Sequence, residues 1–274
     1  MPEGQLDGGV LYRHWPTLGT LRGVILLAHG LGEHSARYQG FADFFCPRGF
    51  AVIAPDHVGH GHSPGHRAHV GSFDEFLQPL LELRSLIGQW YPSAPCFLAG
   101  HSLGGLIAAR LLLDAQGQFS GAALSAPALA VAEPPSAFLL WLNRLLARLR
   151  PTLGMLKLDA TQVSRDPAVV AAYEADPLVH HGKVSAGLVA ELFATMAQVN
   201  ERSTEITLPL LLLHGEADVM TAPAGSSDFS AGVGSADITL RLYPGLYHEI
   251  FNEPERLQVL EDLDQWLQQR LPAA

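Results

Sequence analysis

Lysine is nearly absent. Lys157 and Lys183 are the only two in 274 residues, and 27 acidic side chains against 17 Lys and Arg leave a formal charge of −10 at pH 7. So little positive charge excludes a general nucleic-acid surface and a polybasic membrane anchor. Charged residues of all kinds make up only 16%, against 48% hydrophobic, which excludes a disordered or fibrous chain and leaves enough apolar mass for a large core. Cysteine is equally scarce. Cys46 and Cys96 fall in apolar segments of an expected helix and an expected strand, so two buried free thiols are expected rather than a disulfide framework. No apolar run reaches the ~18 residues of a bilayer crossing. Met1 to Asp7 is polar and acidic, without the basic start and apolar stretch of a secretory signal, and this points to the cytoplasm.

What the chain does have is alternation. Apolar strands are expected at Val10–Trp15, Gly23–Ala28, Ala51–Ala54, Cys96–Ala99 and Gly121–Ser125. Helical patterns separate them at about Arg37–Pro47, Phe73–Tyr91 and Ile107–Leu113. Such alternation means a mostly parallel sheet flanked by helices, an α/β fold. The rhythm breaks after Pro127. Helical segments at about Ser136–Arg150, Pro167–Tyr173 and Ser185–Val199 follow one another with no convincing strand between them. Alternation resumes with Pro209–Leu213, a helix near Pro223–Ala231, strand Ile238–Tyr243 and a closing helix Pro254–Leu271. Residues 1–127 and 207–274 therefore read as one core, and 128–206 as an inserted helical cap.

The chemistry centres on Gly100-His101-Ser102-Leu103-Gly104, a G-x-S-x-G pattern set between an apolar strand and a helix. Glycines flank the serine because a chain reversing so sharply has no room for a Cβ. The turn lifts the Ser102 hydroxyl above the sheet and leaves the Leu103 N–H at a helix N-terminus, where negative charge is favoured. A second match, Gly61-His62-Ser63-Pro64-Gly65, serves as a control. No apolar strand abuts it, and Pro64 lacks the N–H that would help hold an oxyanion, so Ser63 reads as a loop serine.

A serine needs a base, and the base needs an acid to orient it. The strand ending at Ser125 offers no acid. The one ending at Leu213 runs into His214-Gly215-Glu216-Ala217-Asp218, and Asp218 is preferred over Glu216 because it lies deeper in the loop. The base follows the last strand: His248 is the only histidine after Asp218. The pliable loop His29-Gly30-Leu31-Gly32 after the second strand makes Leu31 N–H the candidate second oxyanion donor, beside Leu103. His57, His60, His62, His66 and His69 resemble a zinc cluster only superficially. No matching second set of ligands lies near the other strand ends, and no metal is expected.

Taken together, His29-Gly-Leu-Gly-Glu-His34 with Arg37-Tyr38, Asp56-His-Val-Gly-His-Gly-His-Ser63, Gly100-His-Ser-Leu-Gly-Gly105, Asp176-Pro-Leu178, His214-Gly-Glu-Ala-Asp218 and Tyr247-His-Glu249 resemble the monoacylglycerol lipase/lysophospholipase branch of the α/β-hydrolases. The resemblance covers most of the chain. It implies an α/β-hydrolase fold and a serine hydrolase of acyl monoesters, with Ser102, Asp218 and His248 as triad and no metal or organic cofactor. It also places Glu33 and Arg37 at the glycerol-binding end, while Phe251 stands where some relatives carry a further histidine. Monoacylglycerols are the first expected substrates. A broad carboxylesterase or lysophospholipase is the close alternative, and a non-catalytic binding protein of the same fold the remote one. In the cap, Phe138, Trp141, Leu142 and Leu145 belong to an apolar stripe wider than one buried face requires. It lines an acyl tunnel, touches micelles and membranes transiently, or packs against the core or a second subunit.

Overall fold

The computed structural model describes residues 3–272. Met1, Pro2, Ala273 and Ala274, the outer ends of the two expected core segments, lie outside the described residues. The chain opens with β1 (Glu3–Gln5) and β2 (Leu11–Trp15). β3 (Gly23–Ala28) and β4 (Phe50–Pro55) flank α1 (Gln39–Phe45), and both strands are buried along their whole length, as strands covered on both faces are. α2 (Asp74–Trp90) begins on Asp74 and Glu75, which oppose the positive end of its dipole. β5 (Cys96–His101), α3 (Leu103–Ala115) and β6 (Gly121–Ser125) follow.

There the chain leaves the sheet through α4 (Ala137–Leu149), β7 (Gly154–Lys157), α5 (Pro167–Ala175), β8 (Lys183–Ser185) and α6 (Ala186–Glu201). The side chains of Ser136, Asp166 and Ser185 accept the orphan N–H groups of Leu139, Ala168 and Leu188, so each of the three helices starts on a polar cap worth about 1 kcal/mol. β9 (Leu210–Gly215), α7 (Pro223–Gly232), β10 (Ile238–Tyr243) and α8 (Arg256–Gln268) return it to the sheet.

The eight-stranded sheet runs β1-β2-β4-β3-β5-β6-β9-β10, antiparallel through β1, β2 and β4 and parallel from β4 onward. Alternate residues of each strand feed two cores. Val24 and Leu26 face the side packed by α2, α3 and α6, whereas Ile25 and Leu27 face the side packed by α1 and α8. Strand order reverses at β3, whose neighbours are β4 on one side and β5 on the other. Ligand crevices in open α/β sheets form at such a switch, beyond the carboxyl ends of the strands. The loop after β3 and the turn after β5 meet there.

Two features depart from the sequence reading. β1 was not expected, and β7 pairs antiparallel with β8 where no strand was expected. All three have three or four residues, too few to show a two-residue period. Cys46 and Cys96 are free and buried.

Candidate active site

β5 ends at His101 and α3 starts at Leu103, so Ser102 alone makes the turn, at φ 55° and ψ −118°. A positive φ costs a serine about 1–3 kcal/mol and survives only where its neighbours enforce it. Here Ser102 N–H donates to Ser125 O and Ala128 N–H to Ser102 O, each at 3.0 Å. A Cβ on Gly100 would overlap the Gly104 carbonyl, and one on Gly104 the Ala28 carbonyl. Both collisions are with backbone, which cannot swing away. The control serine is different: Ser63 is buried, donates to Asp56 O at 2.6 Å and accepts Leu11 N–H at 3.0 Å.

His248 and Asp218 come together across 30 residues. His248 Nδ1 lies 2.7 Å from Asp218 Oδ2, and both side chains are buried. Asp218 is held from several directions. Its Oδ1 accepts the N–H groups of Met220 (2.8 Å) and Thr221 (3.1 Å), and its Oδ2 accepts the Thr221 hydroxyl at 2.8 Å. His214 Nε2, 3.1 Å from the same Oδ2, pairs through Nδ1 with Ser226 Oγ at 2.7 Å. Burial alone would raise the Asp218 carboxyl, but the His248 charge and the hydrogen bonds from His214 and His248 hold it well below the usual carboxylate range. Burial likewise opposes charge on His248, yet Asp218 overrides it and the pKa of the imidazole stands above its ordinary value. The sequence placed His214 in a motif without giving it a role, and singled out neither Thr221 nor Ser226. The signal was His214 itself, four residues before the acid at the end of the same strand.

Ser102 is half-buried and lines a cavity of about 100 Å³ together with His248, Leu31, Leu103, Gly30 and Glu33. No hydrogen bond joins Ser102 to His248 among the described residues; in free enzymes such contacts are often long and tighten when substrate binds. The N–H groups of Leu31 and Leu103, the two expected oxyanion donors, have no protein acceptor among the described residues.

The histidines after β3 and β4 build the loop that carries Leu31. His57 N–H donates to His29 Nε2 at 2.9 Å, which leaves Nδ1–H of His29 to reach Gly30 O at 2.8 Å. The His29 and His57 rings lie 4.0 Å apart, with His60 5.5 Å from His29. Burial keeps these rings neutral, with His57 lowered to about 3 and His60 to about 4. Burial likewise lowers His101 to about 3, and its ring packs 4.7 Å from that of His248.

Glu33 and Arg37, expected at the head-group end, part company. Glu33 lines the cavity, and its Oε1 accepts Gly30 N–H at 2.6 Å and the Tyr38 hydroxyl at 2.7 Å. Arg37 does not line it: its Nη1 and Nη2 are committed to Glu33 and Glu249 at 2.6–2.7 Å. Phe251 packs edge-on against Phe41, with ring centres 5.3 Å apart, in the apolar layer under α1.

A second, larger cavity of about 710 Å³ adjoins the first and shares Val131, Leu156, Leu158 and Met220 with it. Of the stripe on α4, Leu142 lines this cavity, but Phe138, Trp141 and Leu145 line neither. Spaced three and four residues apart, they share the outer helix face, where Phe138 is 65% and Trp141 56% exposed. Their expected role as lining residues is corrected accordingly: the stripe splits into an inner and an outer face.

Residues 19–255 match the family model Hydrolase_4, described as serine aminopeptidase, S33. The chain is 41% identical over 262 residues to the monoacylglycerol lipase of Mycolicibacterium smegmatis, covering 95% of this chain and 94% of that one. The crystal structure of Paleococcus ferrophilus monoacylglycerol lipase superposes with a TM-score of 0.87 at 34% identity, over 95% of this chain and 99% of that one. That of a soluble variant of Saccharomyces cerevisiae monoglyceride lipase, in complex with a substrate analog, gives 0.88 at 25% identity, over 99% and 96%. The chain therefore belongs to the Hydrolase_4 family, serine aminopeptidase S33, in the monoacylglycerol lipase branch of the α/β-hydrolases.

Proposed function

We propose that the chain hydrolyses monoacylglycerols to fatty acid and glycerol through an acyl-enzyme on Ser102. The observation that carries the proposal is the one cavity lined by Ser102, His248, Leu31 and Leu103, with Asp218 held against the far nitrogen of His248. The names of the relatives supply the substrate class. In this mechanism Ser102 Oγ attacks the ester carbonyl carbon and passes its proton to His248 Nε2. Asp218 accepts Nδ1–H throughout, fixing the tautomer and favouring the imidazolium that forms. The two amides bind the oxyanion of the tetrahedral intermediate, each worth about 3 kcal/mol. His248 then protonates the departing glycerol oxygen, and water repeats the sequence on the acyl-enzyme.

Residues 128–206 act as a cap, and the larger cavity beneath α4 takes the acyl chain. Each buried CH₂ favours binding by about 0.8 kcal/mol, so longer chains gain over acetyl. Glycerol sits at the opposite, polar end, where Glu33 and Glu249 line the cavity. The outer α4 face, with exposed Arg144 and Arg148 beside its aromatics, rests on the lipid–water interface that supplies the substrate. The test is kcat/KM on C8 to C12 monoacylglycerols against acetate esters of similar alcohols. Higher values on the longer chains are expected, and a strict preference for acetyl would refute the acyl cavity.

A further inference from the structure

We infer that Arg37 is a positioning residue: one guanidinium ties the loop carrying an oxyanion donor to the loop carrying the base. The inference rests on the roles proposed above for Ser102, Leu31 and His248.

Arg37 lies in the turn Ser35–Tyr38, and only 11% of its side chain is exposed. Its Nη1 donates to Glu33 Oε2 at 2.7 Å and to Glu249 Oε1 at 2.6 Å, and its Nη2 donates to Glu249 Oε2 at 2.7 Å. From the cap, the Tyr173 ring covers the guanidinium at 4.7 Å. Both carboxylates sit at decisive places in the chain. Glu33 is two residues after Leu31, and its other oxygen accepts Gly30 N–H, so it closes from inside the turn that contains the Leu31 amide. Glu249 immediately follows His248, and its own N–H is fixed on Val163 O at 2.8 Å. The path from oxyanion donor to base therefore runs Leu31, Glu33, Arg37, Glu249, His248, with one side chain bridging 212 residues of sequence.

The geometry calls for a guanidinium rather than any cation. A planar fork can grip one carboxylate with two N–H groups while a third N–H of the same fork holds another; an ammonium is a point donor and lets the two loops slide. Burial disfavours its charge, but Glu249 and Glu33 more than compensate and hold Arg37 firmly protonated. A shift of about 1 Å between donor and base is enough to cost about a hundredfold in rate.

A head-group contact and a positioning role make different predictions, because every ester uses the oxyanion donors and base but only monoacylglycerols carry glycerol. The experiment compares wild type, Arg37→Lys and Glu249→Gln on a monoacylglycerol and on the p-nitrophenyl ester of the same acid, with melting temperatures to report folding. For Arg37→Lys, kcat is expected to fall about 10- to 100-fold on both esters. KM should stay within about twofold, and fluorophosphonate labelling of Ser102 should slow in parallel. Glu249→Gln keeps an acceptor for one arm of the fork and should lower kcat on both esters by less; it carries the test if the lysine variant does not fold. Loss confined to the monoacylglycerol, a raised KM with kcat intact, or wild-type kcat on both esters would overturn the inference. Activity surviving in Ser102→Ala would instead strike at the underlying reading of the nucleophile.

Discussion

At the scale of single residues, the proposed chemistry depends on a carboxylate that stays ionised and an imidazole that is basic. Asp218 is buried, yet four protein groups donate to it besides His248, so its charge is preformed. Replacing it with asparagine presents the imidazole with the wrong tautomer, and kcat should fall by about 10³–10⁴-fold with KM little changed. Single-turnover kinetics measure this directly. His248 must be neutral to accept the serine proton, and its pKa lies above the ordinary 6.5. The acid limb of kcat/KM is therefore expected above pH 6.5, and a limb below it would mean that Asp218 does not act on this imidazole. Ser102, Asp218 and His248 stood out in the sequence because each lies within five residues of a strand's carboxyl end, where sheets of this class collect reacting groups. The supports around them were not. His214 and Thr221 reach Asp218, and Ser226 holds His214, only after β9 and α7 fold back, and a lone threonine or serine gives no signal in a linear sequence. Glu33 and Arg37 were legible as residues of interest, but that Arg37 pairs with Glu249 depends on a contact between loops 212 residues apart.

At the scale of elements, the turn at Ser102 and α4 make opposite demands. The turn tolerates no added volume. Gly104→Ala drives a methyl into the Ala28 carbonyl, and a loss of about 2 kcal/mol or more is expected because the clash is with backbone of the neighbouring strand. Thermal or urea unfolding measures it; an unchanged melting temperature would show that the turn is looser than described. The outer face of α4 exposes Phe138 and Trp141, and burying an aromatic of this kind in lipid is worth about 1.5–3 kcal/mol. Phe138→Ser with Trp141→Ser should then cut the fraction of protein that sediments with monoacylglycerol-bearing vesicles more than tenfold. Long elements were readable from their periods: α2, α4 and α6 and the buried strands appear where apolar spacing put them, within a few residues. The ribbon of β7 and β8 was not, because four residues carry too little pattern. The stripe on α4 was seen, but which of its two faces turns inward is set by its packing on α6, and no helical period contains that information.

At the scale of the whole molecule, the buried histidines set the response to acid. His57 and His101 bind a proton only near pH 3 and His60 near 4, His29 is also lowered well below its ordinary value, and all four bind one near 6.5 once unfolded. The unfolded state thus binds more protons between these limits. Stability from these groups is complete above pH 6.5 and is lost as pH falls toward 4, at about 1.4 kcal/mol per pH unit for each. His248 runs the other way: its pKa is raised, so its contribution is present below 6.5 and lost as pH rises through the folded value. Urea midpoints should drop steeply between pH 6.5 and 4.5, with several protons taken up on unfolding, whereas a flat profile would show these rings to be solvated. The proposed mechanism turns on the Ser102 hydroxyl, and the most direct measurement is the site of covalent labelling. The protein is treated with a fluorophosphonate and digested, and the modified peptide is sequenced by mass spectrometry. The account predicts one adduct per chain on Ser102, with hydrolysis of monoacylglycerol abolished by the label and by Ser102→Ala alike. An adduct on another residue, or full hydrolysis by Ser102→Ala, would contradict it.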